Sequence, residues 1–174
     1  MHRIHVIGRK NHGKTLLVEE LVRHFADRGL RVGTVKHTHH QHELDAPGKD
    51  SHRHRLAGAA AVGILARDMA AIFLPGARAD DEARRYACFA AAMAGCDLVI
   101  VEGDSQTRAA RVEVWRAAVG SAPLAASDAG IAAVISDDHE ALRPWDLSQP
   151  VWPRSALDGW AERLRALAAP AGGG

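Results

Sequence analysis

The chain opens with His2-Arg3-Ile4-His5-Val6-Ile7, where polar and apolar positions alternate with the period of two that a strand requires, and the run stops at Gly8. Beyond it, Leu17, Val18, Leu21, Val22 and Phe25 recur at helical spacing. Arg23 and Arg28 fall near the end of that segment and Gly29 is placed to stop it. Leu30 to Lys36 reads as a second strand. His37 to Lys49, closed by Pro47-Gly48, is too polar and too broken for either regular element. Asp50-Ser51 can start a short helix ending near Gly58, and the apolar runs Ala60 to Leu65 and Met69 to Leu74 flank Arg67-Asp68 as a hairpin would. Asp80 to Ala94 returns to helical periodicity. Asp97-Leu98-Val99-Ile100-Val101-Glu102-Gly103 is a near-continuous apolar run, the pattern of a central strand covered on both faces. Arg111 to Arg116 and Ile131 to Ile135 add two strands, and Ala156 to Ala168 a last helix. Strand and helix thus alternate, which predicts a three-layer α/β domain over residues 1–169 with a mainly parallel sheet plus an antiparallel hairpin. Residues 170–174 are expected to fray.

Composition narrows the partners. The 22 basic and 21 acidic residues of this 174-residue chain nearly cancel, so no polyelectrolyte character points to nucleic acid or an anionic membrane as the main partner. No apolar run reaches transmembrane length and no leader is evident, so a cytoplasmic protein is expected. Cys88 and Cys96 lie too far apart along a helix to bridge and read as reduced core residues. Trp115, Trp145, Trp152 and Trp160 lack the interleaved basic run that stacks nucleobases and read as core or interface anchors.

The chemistry begins at Gly8-Arg9-Lys10-Asn11-His12-Gly13-Lys14-Thr15. This satisfies the P-loop pattern in the context that pattern requires, directly after a strand and opening a helix, so a P-loop NTPase fold is expected. Glycines let the backbone curl until its amides face phosphate oxygens, the helix N-terminus adds partial positive charge, Lys14 reaches the outer phosphates, and the Thr15 hydroxyl can ligate Mg2+. Leu16 completes the phosphate-binding stretch. Glu102 ends the buried strand and is followed by Gly103, which puts a carboxylate on the sheet edge that carries the P-loop, able to hold or orient a magnesium-bound water. Lys36 and His37 leave the second strand on that same edge, so three strand ends converge on one crevice.

The loop from His37 to Ser51 concentrates imidazoles, carboxylates and Lys49. Asp45 or Asp50 can complete a magnesium sphere with Thr15, while Lys49 and nearby imidazoles face an anionic ligand. His37, His39 and His40 also invite a zinc or nickel site, although no fixed ligand spacing closes one. A nucleotide-dependent metallochaperone is therefore one alternative. A small-molecule kinase, with Lys49 and Arg55 as acceptor clamps, is another.

Five stretches together resemble the MobB-type proteins of molybdenum cofactor biosynthesis. They are Gly8 to Thr15; Val35-Lys36-His37-Thr38-His39-His40; Asp45 to Ser51 with Arg55-Leu56-Ala57-Gly58-Ala59; Asp97 to Gly103; and Ile131 to Asp137. The resemblance implies GTP with Mg2+ as ligand, weak GTPase activity, and support for converting molybdopterin to its guanine dinucleotide, with molybdopterin itself a possible ligand. It also implies a homodimer joined through the hairpin region and partnership with a MobA-type guanylyltransferase. Carried over by position, Lys14 and Glu102 serve catalysis, Thr15, Asp45 and Glu102 serve magnesium, and Ser136-Asp137 read guanine. The chain has no Asn-Lys-x-Asp motif of the kind that reads guanine in many GTPases, and the family's frequent second threonine is Leu16 here.

Overall fold

The computed structural model describes residues 2–38, 43–75 and 82–168. The chain forms two compact units, one from residues 1–38 with 90–174 and one from residues 39–89.

The first unit is built on β1 (Arg3–Ile7), α1 (Lys14–Ala26) and β2 (Val32–Lys36), which precede the second unit in the chain. The second unit carries α2 (Asp50–Leu56), β3 (Val62–Leu65), β4 (Ala70–Phe73) and α3 (Glu82–Ala87). The first unit resumes with β5 (Leu98–Glu102), β6 (Arg111–Val114), β7 (Ile131–Ile135), α4 (His139–Leu142), β8 (Val151–Trp152) and α5 (Ala161–Leu167). Its six strands run in the order β2-β5-β1-β6-β7-β8, and every neighbouring pair is parallel. The expected α/β class and mainly parallel sheet are therefore what the chain adopts. The expected hairpin is present as the antiparallel β3–β4 pair, with Val62 opposite Phe73 and Leu65 opposite Ala70.

Parity sorts the core of the first unit. Ile4, Val6, Leu98, Ile100, Val112, Val114, Ala133 and Ile135 cluster with Leu17, Val18, Leu21 and Phe25 of α1 and with Ala161 and Leu164 of α5. The helical spacing of the α1 residues lays them on one stripe, and that stripe is the one buried. Trp152 and Trp160 stack within this core at 5.5 Å between ring centroids. A second cluster gathers Ile7, Trp115, Ala125, Ile131, Val134 and Leu142. Val99 and Val101 of β5 are buried like their neighbours Leu98 and Ile100, as the unbroken apolar run requires.

Three expectations need correction. Asp80 and Asp81 of the helix expected over Asp80 to Ala94 lie outside the described residues; the helix runs from Glu82 to Ala87, after which the chain continues in turns as far as Gly95, because alanine-rich periodicity gives propensity without enough apolar bulk to enforce a long helix. Cys88 is exposed and so is not a core residue, whereas Cys96 is half-buried; both thiols are free. The last helix starts at Ala161, because Ala156 leaves helical geometry (φ −108°, ψ 43°) inside the 3-10 segment Arg154–Gly159. Trp115, Trp152 and Trp160 are buried as anchors should be, but Trp145 is 42% exposed. No described helix is long and apolar enough to cross a membrane.

Candidate functional site

The strand order puts the carboxyl ends of β2, β5 and β1 side by side. Register aligns Lys36 with Glu102 and Val6 with Glu102, so the P-loop, the acidic strand end and Lys36 leave the sheet at one edge as the sequence suggested. The P-loop backbone needs left-handed geometry at Asn11 (φ 68°) and Gly13 (φ 92°), and φ is 144° at Gly8. Gly8 is required sterically as well, since a Cβ there would lie 2.5 Å from the Val114 carbonyl oxygen. Gly13 caps α1 without a side-chain hydrogen bond, so the first amides of a 13-residue helix open toward the loop.

Lys14 Nζ donates to the Arg9 carbonyl at 2.8 Å, folding the side chain back along its own loop. Burial lowers its pKa, Glu102 opposes that shift, and Lys36 reinforces it. Thr15 Oγ1 donates to Glu102 Oε1 at 2.8 Å, and Lys36 Nζ lies 3.4 Å from the same oxygen. Thr15 and Glu102 are hard oxygen donors of the type Mg2+ takes, and they already meet. His37 follows directly, its amide donating to the Glu102 carbonyl at 2.9 Å. A cavity of about 380 Å³ lies beside this pair, bounded by Val18 and Val22 of α1, Val35 and Lys36 of β2, and Glu102.

A second cavity, of about 360 Å³, opens beside the P-loop across the ends of β6, β7 and β8. Leu16, Trp115, Arg116, Ser136, Asp137, Asp138 and Arg154 are among its walls. Ser136, Asp137 and Leu16, which the sequence nominated, are thus brought together. Asp137 Oδ1 accepts from the Ser155 amide at 2.9 Å and from Ser155 Oγ at 2.8 Å, and the backbone bond comes first among the causes that lower its pKa. Asp138, which sequence reasoning passed over, accepts from the Ala117 amide through Oδ2 at 2.8 Å.

Arg154 was also missed. Its guanidinium bonds both carboxylate oxygens of Glu20 at 3.1 Å and approaches the Gly13 carbonyl at 3.4 Å. No local motif marks it, because the long connection from β7 through β8 is what returns it to the loop. His12 is the third omission in role, buried at 1% exposure although it lies inside the P-loop.

The second unit carries Asp45 and Lys49. Asp45 is 7% exposed; its Oδ1 accepts from the Ala46 amide and Ser51 Oγ, while its buried Oδ2 has no hydrogen-bond partner among the described residues. Lys49 precedes α2 and is exposed. His39 and His40 lie outside the described residues, and among those described no group of three or more His, Cys, Asp or Glu converges as metal ligands.

A parallel sheet with a glycine loop feeding a helix, a lysine in that loop and a threonine paired with an acidic strand end defines a P-loop NTPase fold. Within that class the chain belongs to the MobB family, described as molybdopterin guanine dinucleotide synthesis protein B, whose model matches residues 3–137. A molybdopterin-guanine dinucleotide biosynthesis adapter protein of Escherichia coli is 34% identical over 113 residues, which is 64% of this chain and 63% of that protein. One from Haemophilus influenzae is 43% identical over 63 residues, 36% of this chain and 35% of its own length. These matches therefore span less than two thirds of the curated relatives. Among solved structures, a MobB homolog from Bacillus stearothermophilus superposes with a TM-score of 0.60 at 25% identity, covering 97% of this chain and 98% of that one. MobB of Bacillus subtilis, at 19% identity, TM-score 0.69 and coverage of 95% and 96%, matches in fold.

Proposed function

We propose that this chain is a GTP-binding adaptor with weak GTPase activity that supports conversion of molybdopterin to its guanine dinucleotide form in the cytoplasm. The observation that carries the reading is the P-loop with its Thr15–Glu102 pair on one sheet edge, in a chain whose match to the MobB family spans residues 3–137. Gly8 to Leu16 would bind the phosphates, with Lys14 turning from the Arg9 carbonyl to phosphate oxygens. Thr15 and Glu102 would hold Mg2+, which supplies charge neutralisation at the outer phosphates. Asp45, on the second unit, is the further carboxylate that the family resemblance names for Mg2+. Lys36 and His37 would supply basic surroundings for the phosphates or for molybdopterin.

The base would enter the 360 Å³ cavity. Guanine presents neighbouring N–H donors, and the carboxylates of Asp137 and Asp138 beside Ser136 are acceptors suited to them. Ser155 takes Asp137 Oδ1 and the Ala117 amide takes Asp138 Oδ2, so each carboxylate would offer its other oxygen to the base.

A MobA-type guanylyltransferase is the partner this reading names, and a homodimer its assembly. The hairpin unit supports the dimer: Leu65, Met69 and Ile72 are at least 70% exposed, more apolar surface than one small hairpin leaves to water without use. Reconstituted guanine dinucleotide formation by that guanylyltransferase from molybdopterin tests the function. Addition of this chain with GTP should raise product yield; no change in yield or rate at any ratio overturns the reading.

A further inference from the structure

His12 lies inside the P-loop, yet its ring points away from any phosphate role and into a hydrogen-bond relay. The Arg116 amide donates to His12 Nδ1 at 2.9 Å. With Nδ1 occupied as an acceptor, the neutral ring carries its proton on Nε2 and donates to Ser121 Oγ at 2.8 Å. Trp115 Nε1 donates to the Ser121 carbonyl at 2.8 Å, and the Trp115 ring stands 6.4 Å from the imidazole. The relay therefore closes on itself through Trp115, Arg116 and Ser121.

Two of those residues, Trp115 and Arg116, are walls of the cavity across β6, β7 and β8. The loop that cradles phosphates is thus bonded, through one side chain, to the segment that shapes a separate binding cavity. Trp115 is 4% exposed and His12 1%, so neither bond competes with bulk water, and a lost one leaves a buried group unsatisfied.

We propose that His12 is a positioning residue that couples phosphate binding in the P-loop to base selection in the neighbouring cavity. Its imidazole touches neither phosphate nor base, since both ring nitrogens are engaged by Ser121 and the Arg116 amide. Through the Arg116 amide it fixes the start of the segment after β6, and through Ser121 it fixes the segment's far end, so the cavity has its base-ready width only when the P-loop is in register. This rests on the reading of that cavity as the nucleobase site.

The test compares GTP with inorganic triphosphate, which shares the tail and lacks the nucleoside. The amide oxygen of asparagine can reproduce the acceptor at Nδ1, while glutamine places its amide nearer the Nε2 position and leaves the Arg116 amide unanswered. In the full-length protein, wild type should bind GTP more tightly than triphosphate. His12→Asn should keep most of that preference. His12→Gln should lose about fivefold or more in GTP affinity, the effect of one buried hydrogen bond, and lose more for GTP than for triphosphate. Ser121→Ala, a milder change outside the P-loop, should weaken GTP selectively, with triphosphate changed less than about twofold. Equal loss for both ligands in His12→Gln and Ser121→Ala overturns the coupling while leaving the cavity's reading intact. Equal affinity of wild type for GTP and triphosphate overturns that reading and the proposal with it.

Discussion

At the scale of single residues, the P-loop illustrates what spacing can and cannot convey. Gly8 and Gly13 were legible because the turn needs glycine, and both carry the positive φ the motif implies. Gly8→Ala should reduce soluble folded yield severely, since the new Cβ meets backbone at Val114 and no side chain can move aside. Gly13→Ala meets the Arg154 guanidinium at 2.8 Å, a flexible end, so the expected outcome is a folded protein with weakened nucleotide binding. His12 was not legible in role, because its partners lie more than 100 residues away in sequence. Burial lowers its pKa, and Lys14, Arg9 and Arg116 add to that, so the folded state favours the neutral ring. A depressed folded value means this stability is present above the ordinary imidazole pKa of 6.5 and is lost as pH falls through the folded value. Thermal melts from about pH 7 down to about pH 5 should therefore show a steeper decline in wild type than in His12→Asn.

Among the elements, the six-stranded sheet was the easiest to foresee. Five of its strands carry near-continuous apolar or alternating runs, whereas β8 is two residues long and follows Pro150, too short a signal to register. The two mistaken helices failed for opposite reasons. The alanine-rich stretch after Tyr86 offers propensity without apolar bulk, and the 154–160 stretch is diverted at Ala156 so that Trp160 can stack on Trp152. Buried Glu113 on β6 was unread as well. Its two oxygens accept the amides of Leu124 and Ala125 at 2.8 and 2.9 Å, and burial raises its pKa against those bonds. Glu113→Ala strips two buried amides of their acceptor and should cost on the order of 2 kcal/mol in a denaturant titration. A loss below measurement error would show that water replaces the carboxylate.

For the whole molecule, the candidate site was legible wherever it rests on strand ends, because parallel neighbours carry Gly8, Glu102 and Lys36 to one edge. The 360 Å³ cavity was only half legible. Ser136 and Asp137 could be nominated from family resemblance and Asp138 is the next residue along the chain, but Arg116 and Arg154 join them through tertiary folding alone. If the exposed hairpin joins two copies, Ile72→Glu should convert a dimer to a monomer in light scattering while leaving nucleotide affinity within about twofold, since a charge replaces buried apolar surface only at the interface. An unchanged mass would remove the hairpin from the dimer account.

The proposed function requires a magnesium-dependent guanine nucleotide site built on Lys14, Thr15 and Glu102. Calorimetric titration of GTP and of ATP into the full-length protein, with and without Mg2+, is the decisive measurement. GTP with Mg2+ should bind more tightly than ATP, Lys14→Ala should abolish the signal, and Thr15→Ala should make GTP affinity insensitive to Mg2+. Absence of GTP binding in wild type, or unaltered binding in Lys14→Ala, would contradict it.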